Sequence, residues 1–201
     1  MIRWTLDELD AIAAALQRGA VILLPTDTIY GLHAVATNEE AVERIAAMKG
    51  RDAKPFVVLA ASMDQLNALG VQMQNDVRDA LAELWPAALT AILPLTSPIP
   101  ATRGASSVGV RIPALAWLRE LLERTGPLVS TSANRSGEPP VQHPDELAQP
   151  LQNGLEGLVD GGRLSGEASA IVDFTGASPR VIRGGELLFT QKVWKTLRIS
   201  L

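Results

Sequence analysis

Short apolar runs that stop abruptly at proline or a polar residue organise this chain. "AVILL" (20–24) ends at Pro25, "PFVVLAA" (55–61) runs into Ser62, and "LTAILP" (89–94) and "SVGVRIP" (107–113) both close on proline. Apolar runs of about four to eight residues read as strands buried on both faces. They are far shorter than the roughly eighteen apolar residues of a membrane-spanning helix, so no membrane span is expected.

Helical periodicity fills the intervals. "TLDELDAIAAALQRG" opens on a Thr5…Glu8 capping box, repeats apolar residues at Leu9, Ile12, Ala13 and Leu16, and stops at Gly19. A second helix runs from a cap at Asn38 through Val42, Ile45 and Ala46 to Met48, and Ser62 with Gln65 caps a third. "NDVRDALAELW" (75–85) and "ALAWLRELLERTG" (114–126) are amphipathic helices. Strands cluster later, at "PLV" (127–129), "GLVDGG", "SAIVDFTG" and "PRVIRGG". A short helix lies near "PDELAQPL", and the helical stretch "TQKVWKTL" comes last. Early alternation followed by clustered strands predicts one α/β domain over 1–201, a twisted mixed β-sheet flanked by helices with a concave cationic cleft.

Composition narrows the chemistry. Hydrophobic residues make up 47% and charged residues 20%, the mix of a folded soluble protein. With no cysteine, disulfides, Cys-ligated zinc and a thiolate nucleophile are excluded. Two histidines, His33 and His143, are too few for a His-based metal site. The first residues, "MIRWTLDELDA", have no apolar signal-peptide core, so the expected location is the cytoplasm. A net charge of −4 argues against a protein that coats nucleic acid.

Polar groups gather just after the buried elements: "PTDTIYGL" (25–32), "MKGRDAKP" (48–55), "VGVRIP" (108–113), "STSANRSGEPP" (130–140) and "RVIRGG" (180–185). Taken singly, each has a plain structural explanation. Thr26, Asp27 and Thr28 satisfy a turn; Lys49 and Arg51 complement a helix C-terminus; Arg111 alternates with Val108 and Val110 as a solvated strand residue. Together, Lys49, Arg51, Lys54, Arg111 and Arg183 place cations at element ends of an acidic chain. Converging on one cleft, they would hold a multiply charged anion, with hydroxyls and amides giving direction. The Walker loop, the dinucleotide glycine turn and the esterase elbow are all missing, so nucleotide binding here needs another architecture.

These segments, with "ELWPAALT", "DGG" and "SAIVD", follow one another in the order of a known family. The chain resembles the threonylcarbamoyl-AMP synthases, the YrdC-like family of tRNA modification, from about Gly19 to about Glu186, in the short single-domain form. The resemblance implies a nucleotidyltransferase that joins L-threonine, bicarbonate or CO2, and ATP into threonylcarbamoyl-AMP and pyrophosphate, for t6A modification of tRNA. Threonine's carbamate would be the nucleophile on the α-phosphate, so the protein's task is to align anions and cancel their repulsion.

Carried onto this sequence, the family pattern puts Thr28, Arg111, Ser130 and Ser169 around threonine. It puts Lys49, Arg51, Lys54, Thr90, Val108, Ser132, Asn134, Pro140 and Arg183 around ATP, with Lys49, Arg51, Ser132 and Asn134 as the catalytic set. Mg2+ is expected to accompany ATP without a protein cage. Implied partners are downstream tRNA-modifying proteins, with weak tRNA or RNA contact and no membrane. The chain departs from the family at Asp52 after the Lys-x-Arg pair, at Ala87 and Ala88 in "WPAALT", at Ala170, and at His33, where glycine is frequent and no role is assigned. Competing expectations are an RNA-binding module, a carbamoyl-transfer enzyme on the same fold, and a paralogue without activity.

Overall fold

The computed structural model describes residues 1–50, 54–134, 138–164, 166–185 and 191–197. Among these, ten strands form one mixed sheet in the order β1-β8-β2-β3-β7-β4-β6-β5-β9-β10. The strands are β1 (Ile2–Trp4), β2 (Ile22–Leu24), β3 (Gly31–Val35), β4 (Val57–Leu59), β5 (Leu89–Pro94), β6 (Ser107–Arg111), β7 (Leu128–Ser132), β8 (Gly157–Val159), β9 (Ala170–Asp173) and β10 (Arg180–Arg183). β3 runs antiparallel to β2 and β7, β4 runs parallel to β6 and antiparallel to β7, and β5 runs parallel to β9.

Helices cover both faces. They are α1 (Leu9–Gln17), α2 (Glu39–Lys49), α3 (Met63–Ala68), α4 (Asn75–Leu84), α5 (Ala116–Thr125), α6 (Gln149–Gln152) and α7 (Gln191–Leu197). Because side chains alternate along a strand, β2, β4 and β7 feed two cores. Leu23, Leu32, Ala34, Val58, Val108, Val110 and Val129 join one cluster with the apolar stripes of α2 and α4. Ile22, Leu24, Leu59 and Leu128 join a second, closed by Ile12 and Leu16 of α1 and Leu118, Leu121 and Leu122 of α5. Each such aliphatic side chain, fully buried, stabilises the fold by about 1.5–3 kcal/mol. The rest of that second face is not helix-covered core but the floor of a cavity.

Local signals set the helix ends. The Asn38 side chain accepts from the Ala41 N–H at 3.0 Å, and Gly50 ends α2 in the left-handed region at φ 58°. Ser62 accepts from the Gln65 N–H at 3.3 Å. The Thr5…Glu8 box forms differently from expectation. The Glu8 carboxylate accepts from the Thr5 N–H at 2.8 Å, but the Thr5 hydroxyl points to that same carboxylate, so α1 starts at Leu9 without a side-chain cap.

Three strands depart from the sequence pattern. β1 and β3 are not anticipated by it, and β7 runs beyond "PLV" to Ser132, so Ser130 and Ser132 are strand residues rather than loop residues. The cause is pairing: β3 offers a full ladder to β7, matching Gly31 with Ser132 and His33 with Ser130. Among the described residues no helix is long and apolar enough to cross a membrane.

Candidate functional site

Thr28, Gly31, Val57, Thr90, Arg111, Ser130, Ser132, Ser169, Ile171 and Arg183 are among the residues that line one cavity of about 240 Å³. Register explains why these distant residues meet. Val57 stands opposite Ser130 and Gly109, and Ile171 stands opposite Thr90 and Arg183, so alternation sends their side chains to one face.

Arg111 sits at the end of β6 and is only 4% exposed, so it is not the solvated strand residue its spacing suggests. One guanidinium nitrogen donates to the Thr28 hydroxyl at 3.0 Å, and the other lies 3.3 Å from Asp27 Oδ1. Asp27 is in turn held by the Ala114 N–H at 2.8 Å. The hydroxyl proton inventory then orders the turn. The Thr26 hydroxyl donates its one proton to the Ile29 carbonyl, so Thr28, accepting from Arg111, must be the donor in its 2.8 Å bond to Thr26. Burial lowers the Arg111 pKa; Asp27 opposes that shift and the nearby Arg183 adds to it.

The opposite wall is built by Arg183. Its Nε donates to the Ser169 carbonyl at 2.9 Å and its Nη2 to the Ser169 hydroxyl at 3.4 Å, while burial lowers its pKa. Ser169 Oγ is 2.8 Å from Thr90 Oγ1, and both residues are buried. Thr90, Ser169 and Arg183 thus form one wall, so Thr90 and Arg183, expected around ATP, line the same cavity as Thr28, Arg111, Ser130 and Ser169, expected around threonine. Two guanidiniums line one small cavity, with Asp27 as the carboxylate at Arg111, an arrangement whose charge suits an anion.

Asn134 and Pro140 lie elsewhere, in a second cavity of about 270 Å³ lined also by Ala133, Glu138 and Glu146. Asn134 Nδ2 donates to the Glu138 carbonyl. The end of β7 separates the two cavities, with Ser130 and Ser132 on the first and Asn134 on the second. Lys49 lines neither. It extends the buried stripe Val42, Ile45, Ala46 of α2 and donates to the Ser132 carbonyl at 2.7 Å and to the backbone and side-chain oxygens of Asn134.

Lys54 is exposed beside Pro55, a wall residue of the first cavity. Val108 is 1% exposed with its side chain in the core on the other face, so its expected contribution is one of backbone alone. Arg51 lies outside the described residues, as do Asp52 and Ser136. Sequence reasoning missed Asp27 as more than turn chemistry, because its partner Arg111 is 84 positions away and spacing carries no trace of that pairing.

Fold and site together define an α/β protein with a polar, doubly guanidinium-lined cavity on one sheet face. Residues 14–185 match the Sua5/YciO/YrdC family model, described as "Telomere recombination". The threonylcarbamoyl-AMP synthase of Pyrococcus abyssi is 34% identical over 180 residues, spanning 87% of this chain and 53% of that protein. A putative threonylcarbamoyl-AMP synthase of Mycobacterium tuberculosis (strain H37Rv) is 32% identical over 190 residues, covering 92% of this chain and 87% of its own length. The crystal structure of P. abyssi Sua5 complexed with L-threonine aligns with a TM-score of 0.87 at 31% identity, over 99% of this chain and 62% of that one. The chain belongs to the Sua5/YciO/YrdC family of threonylcarbamoyl-AMP synthase relatives. It spans about half the length of the P. abyssi protein.

Proposed function

We propose that this chain is an ATP-dependent threonylcarbamoyl-AMP synthase, working as one unit over the described residues. The observation that carries the reading is the first cavity: Arg111 and Arg183 face a space bordered by the hydroxyls of Thr28, Thr90, Ser130 and Ser169. A small amino acid bears one carboxylate, one amine and, in threonine, one hydroxyl, which suits that inventory. The P. abyssi relative crystallised with L-threonine supports the same substrate.

In this reading Arg111 pairs with the threonine carboxylate, its guanidinium already aimed by Thr28 and Asp27. The threonine amine takes up CO2 to form a carbamate. A carbamate oxygen then attacks the α-phosphate of ATP, the bond to pyrophosphate breaks, and the two charges approach only because the guanidiniums offset their repulsion. Asn134 and Pro140, in the cavity across the β7 end, take the nucleotide, with Ser132 between the two substrates. Lys49 holds that boundary in place, and Lys54 and Arg51 are assigned to the triphosphate. Mg2+ would travel on the phosphate oxygens of ATP. The product would pass to tRNA-modifying proteins in the cytoplasm.

Pyrophosphate release tests this directly. Release that requires L-threonine, bicarbonate and Mg·ATP together is expected; ATP turnover indifferent to threonine overturns the assignment.

A further inference from the structure

Tyr30, in "PTDTIYGL", and the "DGG" segment line neither cavity, yet they meet each other. Tyr30 is wholly buried. A phenylalanine would fill that space equally well, so the hydroxyl needs its own account. It donates to the Gly162 carbonyl at 2.7 Å and accepts from the Gly161 N–H at 3.0 Å. Burial pushes the phenol pKa up, so the donated proton stays in place. The 160–162 loop is also held from its own side. Asp160 Oδ1 accepts from the Gly162 N–H at 3.0 Å, Oδ2 takes Arg3 at 2.6 Å, and the Asp160 N–H donates to the Trp4 carbonyl at 3.0 Å.

The same loop reaches the chain on the other side of the Thr26 turn. A Cβ built on Gly161 would stand 2.7 Å from Pro25 Cγ and 2.9 Å from Pro25 Cβ, so the bare glycine lies directly on that ring. Pro25 and Tyr30 flank residues 26–29, and one loop therefore braces both ends of the turn. Within it, the Thr26 hydroxyl accepts from the N–H groups of Thr28 and Ile29 and donates to the Ile29 carbonyl, which makes the turn a single body. That body carries Thr28 and Asp27. Among the described residues these two are the whole hydrogen-bonding and ion-pairing set of the Arg111 guanidinium, whose Nε has no partner. The direction of the guanidinium follows the turn, and the turn follows its two footings.

We propose that Tyr30 is a positioning residue for Arg111: its hydroxyl locks the 160–162 loop against the 26–29 turn, and the turn in turn sets the plane in which the guanidinium meets the substrate carboxylate. The loop is the buttress, Pro25 and Tyr30 are its two bearings, and Thr28 and Asp27 are what it keeps in place. The inference rests on reading the first cavity as the threonine site.

The test has two arms. Tyr30→Phe removes one oxygen and leaves the ring in the core. In steady-state kinetics below the melting transition, it should raise the KM for L-threonine about fivefold and leave the KM for ATP within about twofold of wild type. Gly161→Ala keeps the hydroxyl but pushes on Pro25, and the same selective rise is expected. The double variant should fall short of the product of the two, since both act through one loop. A variant that only melts earlier, equal rises for both substrates, or effects that multiply overturn the proposal. The second arm needs no substrate. Amide hydrogen exchange at Thr28 and Ile29, and at Ala114, whose N–H donates to Asp27, should speed up about tenfold in Tyr30→Phe, while the Ala41 amide at the α2 cap keeps its rate. Unchanged exchange at those three amides, or equal acceleration at Ala41, overturns it. Wild-type protein that fails to bind L-threonine sinks the proposed function, while the exchange rates still decide whether Tyr30 holds the turn.

Discussion

The Lys49 ammonium stands 2.7 Å from the Ser132 carbonyl oxygen, so the last turn of α2 grips the end of β7 where the two cavities meet. Removing it leaves the oxygens of Ser132 and Asn134 without their charged donor in a part-buried place. Lys49→Met is therefore expected to lose about 1–3 kcal/mol of stability. It should also raise the KM for ATP more than that for threonine, because Asn134 lies on the second cavity. Thermal melts and initial rates check both; a variant with unchanged melting would show that the grip is not structural.

Arg111→Lys separates charge from shape. A lysine ammonium can satisfy Thr28 or Asp27 but cannot span both while offering a flat edge to a carboxylate. The threonine KM should rise about 10- to 100-fold, with ATP use changed by less than about threefold. Pyrophosphate release over a threonine titration measures it, and an unmoved threonine KM would reassign the cavity. Asp27→Asn keeps the bond from Ala114 but leaves the buried guanidinium without its counter-charge, so the expected result is lower stability and weaker threonine use together.

These residues also show what the sequence carries and what it hides. Caps at Asn38 and Ser62, the apolar stripe of α5 and the buried runs of β4, β5 and β6 are legible because each depends on neighbours within a few positions. β3 is not legible, since "GLHAV" carries a histidine where an apolar residue would mark a strand, and only β2 and β7 on either side make it one. The site residues could be nominated as polar clusters at element ends. Their partition could not: that Thr90 joins Ser169, or that Lys49 holds a boundary rather than lining a cavity, is set by contacts more than seventy positions apart. Trp4 and Trp85 are core residues, 6% and 7% exposed.

Acid should unfold this protein partly through His33. Burial holds its pKa down at about 3, from 6.5, with the Gly31 carbonyl opposing and the Arg111 charge reinforcing that shift. The sign follows from proton counting: between these two values the unfolded chain binds one proton at this position and the folded chain binds none. Stability is therefore complete above the unfolded value and falls with pH through the window, by about 1.4 kcal/mol per pH unit from this group alone. Urea unfolding at pH 4, 5, 6 and 7 should give a slope shallower by one proton in His33→Gln than in wild type. Parallel slopes would mean that the imidazole is already charged, or reaches solvent, in the folded state.

A last prediction isolates stability from chemistry at the far edge of the sheet. Gly157 in β8 pairs with both β1 and β2, and the room left by its missing side chain is taken by the Trp4 ring. A Cβ there would sit 2.1 Å from Trp4 Cζ3 and 2.8 Å from Cη2, closer than packed atoms come. The ring cannot simply step aside, since it is buried in the cluster formed with Ile12 and Leu16. Gly157→Ala must displace either the tryptophan or the strand, at about 1–3 kcal/mol or somewhat more. Shrinking the ring opens the space, so adding Trp4→Leu to Gly157→Ala should cost less than the sum of the single changes, a coupling of about 0.5–3 kcal/mol in a double-mutant cycle. Both KM values should stay at wild-type levels below the melting transition, because Trp4 and Gly157 line neither cavity. Strict additivity would show that β8, not the ring, gives way.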